Sequence, residues 1–428
     1  MSKKVAFATL GCKVNKYETE AMSEMFKKRG YEVVGFDEIS DIYVINTCTV
    51  TNIGDRKSRQ MIRRAKHKNP HSIVAVTGCY AQVSPEEVKK IEGVNLVLGT
   101  NERKNIVDYV EKLTENEFFS SVSDIRKIKD FEDMPIEDFE KMSKAYIKIE
   151  EGCNEFCSYC IIPYARGPVR SRSILSIEKE AKRLSDAGFK EVILTGIQVA
   201  SYGKDLDGLT LADVIELIAE KTDIERIRLS SIEPRLLTDE FIERIKNTGK
   251  ICPHFHISLQ SGCDETLKRM NRKYTTKDYL EGVKRLRKSF DNPAITTDVM
   301  VGFPGEDDTE FEKSRKFMET VGFSDAHVFE YSNRKGTRAD LMEGQVANEV
   351  KNVRSEKMRA AVQKLKEEYM KSFVGKELNV LFEQEKDGYF EGTSQNYIRV
   401  LKKSDEDLTG KIKSVKITKF CKEYLEGI

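Results

Sequence analysis

Short apolar runs alternate with charged, helix-forming stretches through the first part of the chain. The apolar runs end at glycine or polar residues, as β-strands do, and they lie at residues 5–11, 41–50, 72–79 and 94–100. Helical stretches at residues 17–30 and 54–68 separate the first three runs. Because strands that alternate with helices form parallel sheets, the pattern predicts an N-terminal parallel α/β domain over residues 1–120.

The alternation resumes after residues 121–143, a charged stretch without sustained periodicity that we interpret as a linker. Six further apolar runs follow, at residues 145–152, 191–199, 226–232, 254–261, 294–303 and 325–332. Helical stretches lie between most of them, and a long charged helix is predicted at residues 349–371. Six strand–helix units indicate a partial (βα)6 barrel, which we assign to residues 144–370.

The last segment, residues 371–428, changes to short strands joined by turns that contain glycine. The strands are ELNVLFE, GYFEGTS, YIRVLKK and GKIKSVKITKF. They predict a small C-terminal β-barrel, a shape often used to bind nucleic acid. Tyr389, Phe390 and Tyr397 could stack on bases there or belong to its core. The predicted fold class is therefore α/β, with three domains.

Composition limits where the protein works. No run of about 18 apolar residues exists, so no membrane span is expected, and the start of the chain lacks the apolar region of a secretory signal. Nine cysteines, an odd number, favour metal-binding or catalytic thiols in the cytoplasm over a disulfide framework. Since the net charge is only +1, any contact with nucleic acid must come from local basic patches.

Three cysteines, Cys153, Cys157 and Cys160, form a Cys-x3-Cys-x2-Cys triplet just after the first barrel strand. Three thiolates can hold three irons of a cubane cluster and leave the fourth iron open for substrate chemistry. Zinc is the competing interpretation, but structural zinc sites use four ligands, and no fourth Cys or His lies near the triplet. We therefore predict an iron–sulfur cluster with an open coordination position.

Three more cysteines, Cys12, Cys48 and Cys79, each follow the carboxyl end of a predicted parallel strand. Ligands of open α/β sheets bind at that edge, so the three thiols could converge on one site. The alternative is three separate buried thiols, which spacing alone does not exclude. Cys252, Cys263 and Cys421 are interpreted as ordinary thiols.

Two further groups of residues are candidates for binding. On the predicted rim of the barrel, where active sites of barrels lie, polar residues and glycines cluster at the strand ends: Gly196, Gln198, Ser231, Glu233, Gln260, Gly302, Pro304 and Gly305. A dense run of cations lies on the predicted helix at residues 54–68 and includes Arg56, Lys57, Arg59, Arg63 and Arg64. Such a run either binds phosphates or simply forms the solvent-exposed face of the helix.

Taken together, the motifs resemble the radical S-adenosylmethionine (SAM) methylthiotransferases. The resemblance rests on GCNEFCSYCIIPYARG, on the N-terminal LGCKVNKYE, NTCTVT and TGCYAQ, and on the barrel motifs SSIEPR, LQSGCDETLKRMNRKYT, DVMVGFPGE and YSNRKGT. It covers nearly the whole chain, and the C-terminal strands are similar to the RNA-binding TRAM domain. Within the family, LGCKVN and CIIPYARGPVRSR look most like the branch that modifies N6-threonylcarbamoyladenosine at tRNA position 37. The chain departs from many radical SAM enzymes where TGIQVASYG replaces a Gly-Gly-Glu motif.

The resemblance implies two [4Fe–4S] clusters, one on each cysteine set, and SAM, for which the rim residues above are the candidate ligands. It implies sulfur insertion at adenine C2 followed by methylation, on the anticodon stem-loop of tRNA, with a flavodoxin-type electron donor and a sulfur donor that the sequence does not identify. Alternatives are methylthiolation of N6-isopentenyladenosine tRNA or of a ribosomal-protein aspartate. A non-enzyme alternative is a zinc-stapled RNA-binding protein.

Overall fold

The three predicted units follow one another in a computed structural model that describes residues 2–137 and 143–428. The predicted linker at residues 121–143 falls partly on residues 138–142, which lie outside the described residues. Short 3-10 helices lie at Arg103–Asn105, Ile125–Lys127, Val199–Ser201, Pro234–Leu236 and Arg338–Leu341. Among the described residues, no helix combines the length and apolar character needed to cross a membrane.

The first unit is a parallel sheet with strand order β2-β1-β3-β4-β5-β6. Its strands are β1 (Lys4–Thr9), β2 (Glu32–Val34), β3 (Ile42–Thr47), β4 (Ile73–Gly78), β5 (Leu96–Leu98) and β6 (Phe119–Ser121). Its helices are α1 (Lys13–Lys28), α2 (Asn52–Lys68), α3 (Cys79–Val83), α4 (Pro85–Lys89) and α5 (Ile106–Glu111). The four predicted strands are confirmed. The sequence pattern missed β2 and β6 because they are three-residue edge strands without buried residues.

The second unit is an open barrel of six parallel strands. These are β7 (Lys144–Lys148), β10 (Glu191–Thr195), β11 (Arg226–Leu229), β12 (His254–His256), β13 (Ala294–Val301) and β14 (Asp325–Glu330), while β8 (Glu150–Glu151) and β9 (Arg170–Ser171) form a small ribbon. Isolated parallel bridges, including Ile227 with Ile251, join β11 to the chain around β12. The helices are α6 (Ile162–Arg166), α7 (Ile174–Asp186), α8 (Leu211–Lys221), α9 (Asp239–Asn247), α10 (Asp264–Arg269), α11 (Thr276–Ser289), α12 (Asp308–Val321) and α13 (Asn348–Lys371). The predicted partial (βα)6 barrel is confirmed.

Alternation along the barrel strands separates a core from a lumen. Residues that face the helices are apolar and buried, as Phe255 and Ile295 are. Their neighbours on the other face, among them His254, His256 and Thr296, line a cavity. Because successive side chains of a strand point to opposite faces, the same strands build the core and present polar groups to a ligand.

The third unit is a closed barrel of five strands in the order β15-β16-β17-β19-β18. They are β15 (Glu377–Lys386), β16 (Tyr389–Ser394), β17 (Arg399–Lys402), β18 (Ile412–Cys421) and β19 (Tyr424–Gly427). The predicted β-barrel is confirmed, although β19 was not predicted. Phe390 belongs to its core, whereas Tyr397 stacks on His254 of the large barrel, with ring centres 4.7 Å apart. The small barrel therefore closes one side of the lumen.

Candidate functional site

The N-terminal cysteines come together at one edge of the first sheet. Cys12 caps the start of α1 after β1, Cys48 follows β3, and Cys79 begins α3 after β4. A Cβ atom added at Gly11 would lie 3.0 Å from the Sγ atom of Cys48, so only a glycine permits this approach. Burial and the neighbouring Cys79 and Cys12 raise the pKa of Cys48 to about 11. The thiols are thus close enough to interact.

The triplet lies in a tight loop after β8. Gly152 has a φ of +87°, and a Cβ atom there would lie 1.8 Å from the carbonyl oxygen of Pro168, so the position requires glycine. The N–H of Cys160 donates to the carbonyl of Cys157 over 2.9 Å. Burial, and after it the neighbouring thiol of Cys157, raises the pKa of Cys160 to about 12. These thiols would become thiolates when a bound cation supplies positive charge.

Each cysteine set has a buried arginine that the sequence analysis did not assign. Nε of Arg166 lies 3.2 Å from Sγ of Cys79, and Nη1 of Arg272 lies 3.2 Å from Sγ of Cys157. Hydrogen bonds to cysteine sulfur stabilise its negative charge and tune a bound cluster. The only sequence signal was their presence in the PYARG and MNRKYT motifs.

A buried ionic network runs from Arg166, beside Cys79, to Glu151, two residues before Cys153. Glu18 of α1 accepts from Lys148 over 2.9 Å and from Arg166 over 2.5 Å, and it also pairs with Arg103. Glu151 pairs with the same three cations. Burial alone would raise the pKa of Glu18, but the three cations prevail and lower it to about 2. Because α1 belongs to the first unit and Lys148 to the barrel, the network fixes one against the other.

A cavity of ≈ 720 Å³ lies where the three units meet. Its wall includes Cys12 and Lys13 from the first unit, the strand end at Gly196 and Ser230, and residues around Tyr397 from the small barrel. The volume falls within the range of about 300–1,000 Å³ that is common for ligand sites. The cavity thus joins the N-terminal thiol site to the barrel rim.

Several buried polar atoms at the rim and in the lumen of the barrel have no partner in the described part of the chain. They are Oε1 of Glu150, Oγ of Ser230 and Nδ1 of His254. The other Glu150 oxygen accepts from the N–H of Gln198 over 2.7 Å. Since buried polar groups are normally hydrogen-bonded, these atoms fit a polar ligand such as SAM or a nucleoside.

The eight rim candidates divide into two groups. Gly196 and Ser231 line the cavity, and a Cβ atom at Gly196 would meet the Glu150 carboxylate at 2.7 Å. Gln198 does not line the cavity, but its N–H donates to Glu150 beside Gly196.

The other candidates, Glu233, Gln260, Gly302, Pro304 and Gly305, do not line it. Glu233 accepts from Arg235 over 2.7 Å, and the carbonyl of Pro304 accepts from Arg269 over 3.1 Å. A Cβ atom at Gly302 would lie 2.4 Å from the Lys351 side chain. These residues support the rim, and their role in binding SAM stays a prediction.

The basic run lies on α2, which begins just after Cys48. Arg59 packs on Tyr80, and Arg64 forms an ion pair with Asp37. In the described part of the chain the exposed Arg56, Lys57 and Arg63 have no ion pair or hydrogen bond, so their charges are available to a ligand. The RNA-binding role of this run stays a prediction.

As metal sites, both cysteine sets also stay predictions. Within residues 2–137 and 143–428, no three His, Cys, Asp or Glu side chains are arranged to hold one metal ion. A cubane cluster binds each thiolate to a different iron, so its ligands do not converge on one point. Each set supplies three thiols and an arginine that stabilises thiolate charge, which are the ligands and hydrogen-bond donors that an iron–sulfur cluster needs.

Comparison with known proteins agrees with this geometry. Residues 147–318 match the radical SAM superfamily, and residues 4–99 match the uncharacterized protein family UPF0004. The chain is 45% identical over 430 residues to the threonylcarbamoyladenosine tRNA methylthiotransferase MtaB of Bacillus subtilis (strain 168), covering 99% of this chain and 95% of the relative. It is 37% identical over 439 residues to a tRNA-2-methylthio-N(6)-dimethylallyladenosine synthase of Clostridium botulinum (strain Loch Maree / Type A3), covering 98% and 95%.

A solved structure shares the fold. The radical SAM methyltransferase TsrM from Kitasatospora setae, with cobalamin and a [4Fe-4S] cluster bound, superposes with a TM-score of 0.58 at 12% identity, over 77% of this chain and 75% of that one. Identity over nearly the full length, together with the thiol sites and the open barrel, leads to one conclusion. The chain belongs to the radical SAM methylthiotransferase family.

Proposed function

We propose that this protein converts N6-threonylcarbamoyladenosine at tRNA position 37 to its 2-methylthio derivative, by inserting sulfur at adenine C2 and then methylating it. One observation carries the proposal: a single cavity has Cys12 on one wall and the barrel strand ends at Gly196 and Ser230 on another. The relative with the higher identity of the two described above is named for this nucleoside, and the other for its dimethylallyl counterpart.

Radical SAM enzymes use SAM and a [4Fe–4S] cluster, which we assign to Cys153, Cys157 and Cys160. We assign a second [4Fe–4S] cluster to the other thiol set: Cys12, Cys48 and Cys79. When bound, the first cluster with SAM would supply hydrogen-atom abstraction from an unactivated carbon, the second cluster would supply sulfur, and a second SAM would supply the methyl group.

The chain's own residues position these groups. Arg272 donates to the sulfur of Cys157 and Arg166 to the sulfur of Cys79, and each bond fixes the orientation of its thiol. The unpartnered oxygens of Glu150 and Ser230 are suited to bind the amino or hydroxyl groups of SAM next to Gly196. Enclosure of the cavity by the small barrel excludes water from the reacting base.

Binding of the tRNA anticodon stem-loop is assigned to the exposed cations Arg56, Lys57 and Arg63 and to the small barrel. We further propose domain limits of 1–120, 144–370 and 371–428, a cytoplasmic location and a flavodoxin-type reductant. Support for the location and the reductant is chemical, because this reaction needs a reducing compartment and single electrons.

Two measurements test the proposal. Iron and sulfide should reach about eight atoms each per chain after anaerobic reconstitution, and about four when the triplet is replaced by alanine. Stoichiometric zinc instead would favour a zinc-stapled RNA-binding protein. Mass spectrometry of tRNA nucleosides from a deletion strain should show loss of the 2-methylthio-threonylcarbamoyl nucleoside. Its persistence, with loss of the isopentenyl counterpart, would reassign the substrate.

A further inference from the structure

Lys13 is a cation next to the N-terminal thiol site, and no carboxylate among the described residues forms an ion pair with it. It follows Cys12 in the first turn of α1, and its side chain lines the cavity. In the described part of the chain its ammonium has neither a hydrogen bond nor an ion pair. Two other cations of the cavity wall are paired: Lys366 lies 3.0 Å from Asp325, and Arg399 lies 2.6 Å from Glu391.

Glu191, the acid whose charge acts on Lys13, is already engaged, and Glu423 of the cavity wall is exposed to solvent. Glu191 accepts from Arg228 over 2.7 and 3.2 Å, and Glu383 lies 2.8 Å from Lys144. On the opposite wall Asp298 lies 3.3 Å from His256. Lys13 therefore adds positive charge to the cavity wall, and the neighbouring cations Arg228 and Lys144 repel it. A charge in that position is costly unless an anion enters the cavity.

Adenine chemistry indicates which anion this is. C2 and the N6 substituent flank the ring nitrogen N1 on one edge of the base. A site that delivers sulfur to C2 must therefore lie beside the group that contacts the N6 substituent, as Cys12 lies beside Lys13. The threonylcarbamoyl substituent ends in a carboxylate, whereas a dimethylallyl substituent is a hydrocarbon.

We propose that Lys13 binds the carboxylate of the N6-threonylcarbamoyl group and thereby determines which modified adenosine is accepted. The inference rests on the proposed function and names the residue that selects its substrate. An acid substrate neutralises the ammonium, whereas a neutral substituent leaves it half-buried and unpaired, so the same side chain favours the first substrate over the second.

The test compares two anticodon stem-loops that differ only at this carboxylate: one carries N6-threonylcarbamoyladenosine at position 37, and the other carries its methyl ester. With the wild-type enzyme, the ester should have a KM roughly 10- to 100-fold higher, as expected for losing a charge-assisted hydrogen bond. Affinity for labelled stem-loop without reductant, where no turnover occurs, should shift in the same direction. This comparison needs no variant, so it does not depend on how a variant folds.

Three variants complete the test. Lys13→Gln should raise KM for the acid to the level of the ester and remove the discrimination, whereas Lys13→Arg should retain part of it. Lys16→Gln is the matched control, because Lys16 lies one turn along the same helix and outside the cavity. Iron content and SAM cleavage should match wild type in all three, which separates substrate selection from damage to the thiol site.

The outcomes separate the two proposals. Equal binding of acid and ester by wild type, or unchanged discrimination by Lys13→Gln, would overturn the role of Lys13 and leave the proposed function standing. Absence of any methylthiolation of the acid stem-loop by the reconstituted wild type would refute the proposed function, and the assigned ligand with it.

Discussion

Replacing Glu18 by glutamine should uncouple the first unit from the barrel. The carboxylate is fully buried and pairs with Arg103, Lys148 and Arg166, which come from both units. Glutamine keeps the shape but removes the charge. Lys148 and Arg166 would then depend on Glu151, while Arg103 would keep its pair with Glu132.

Two arguments give the size of the loss in stability. The pKa of Glu18 falls from 4.5 to about 2, and at about 1.4 kcal/mol per unit this corresponds to about 3 kcal/mol of stability. Removing one partner of a buried ion pair typically costs about 3–5 kcal/mol, which agrees. Because the folded pKa lies below the unfolded one, this stabilisation is complete above about pH 4.5 and is lost as the pH falls toward 2.

Urea unfolding of the metal-free protein, followed by circular dichroism, measures the effect. At pH 7.5, Glu18→Gln should lower the free energy of unfolding by about 3 kcal/mol, and the difference from wild type should shrink steadily below pH 4.5. The control is Glu178→Gln, because among the described residues Glu178 has an ion pair with Lys182 alone, on the surface of α7. This variant should unfold like wild type. A Glu18→Gln midpoint equal to wild type at pH 7.5, or a difference that does not change with pH, would refute the reasoning.

Three other outcomes are expected. In Gly152→Ala, the added Cβ atom would overlap the carbonyl oxygen of Pro168 and distort the triplet loop. The variant should fold but lose the triplet cluster, so iron should drop to about four atoms per chain. Full iron content would contradict this. The triple variant Arg56→Ala/Lys57→Ala/Arg63→Ala should weaken stem-loop binding while SAM cleavage stays intact. The slope of the logarithm of the binding constant against the logarithm of the salt concentration should fall in magnitude by about 2–3. An unchanged slope would mean that the RNA binds elsewhere. Arg272→Met removes the hydrogen-bond donor to the sulfur of Cys157, so the reduction potential of the triplet cluster, measured by voltammetry, should fall. An unchanged potential would mean that this donor does not act on the cluster.

Features that depend on neighbouring residues in the chain could be predicted from sequence. Strand ends fix the positions of Cys12, Cys48 and Cys79, because a parallel sheet brings the ends of its strands to one edge. The six-unit barrel followed from repeated strand–helix alternation for the same reason.

Features that depend on contacts across the fold could not be predicted. Arg166 and Arg272 reach cysteines far away in the sequence, and nothing in their own motifs specifies where their long side chains end. The turn containing Gly302 resembled a ligand loop, but α13 supplies Lys351, which packs against it. The short strand β19 was missed because its pairing with β17 and β18, rather than its own pattern, defines it.

The shared cavity also has a consequence for the order of synthesis. Its wall contains residues from the start of the chain, from the barrel and from β17 and the turn before β19. Domains generally fold as they emerge from the ribosome, N-terminal first. The thiol sites can therefore form early, while the chamber that shields the reaction is completed only when the last barrel is released. A nascent chain would hold its cysteines in place before it could retain a nucleoside, so reactivity would be the last property to appear.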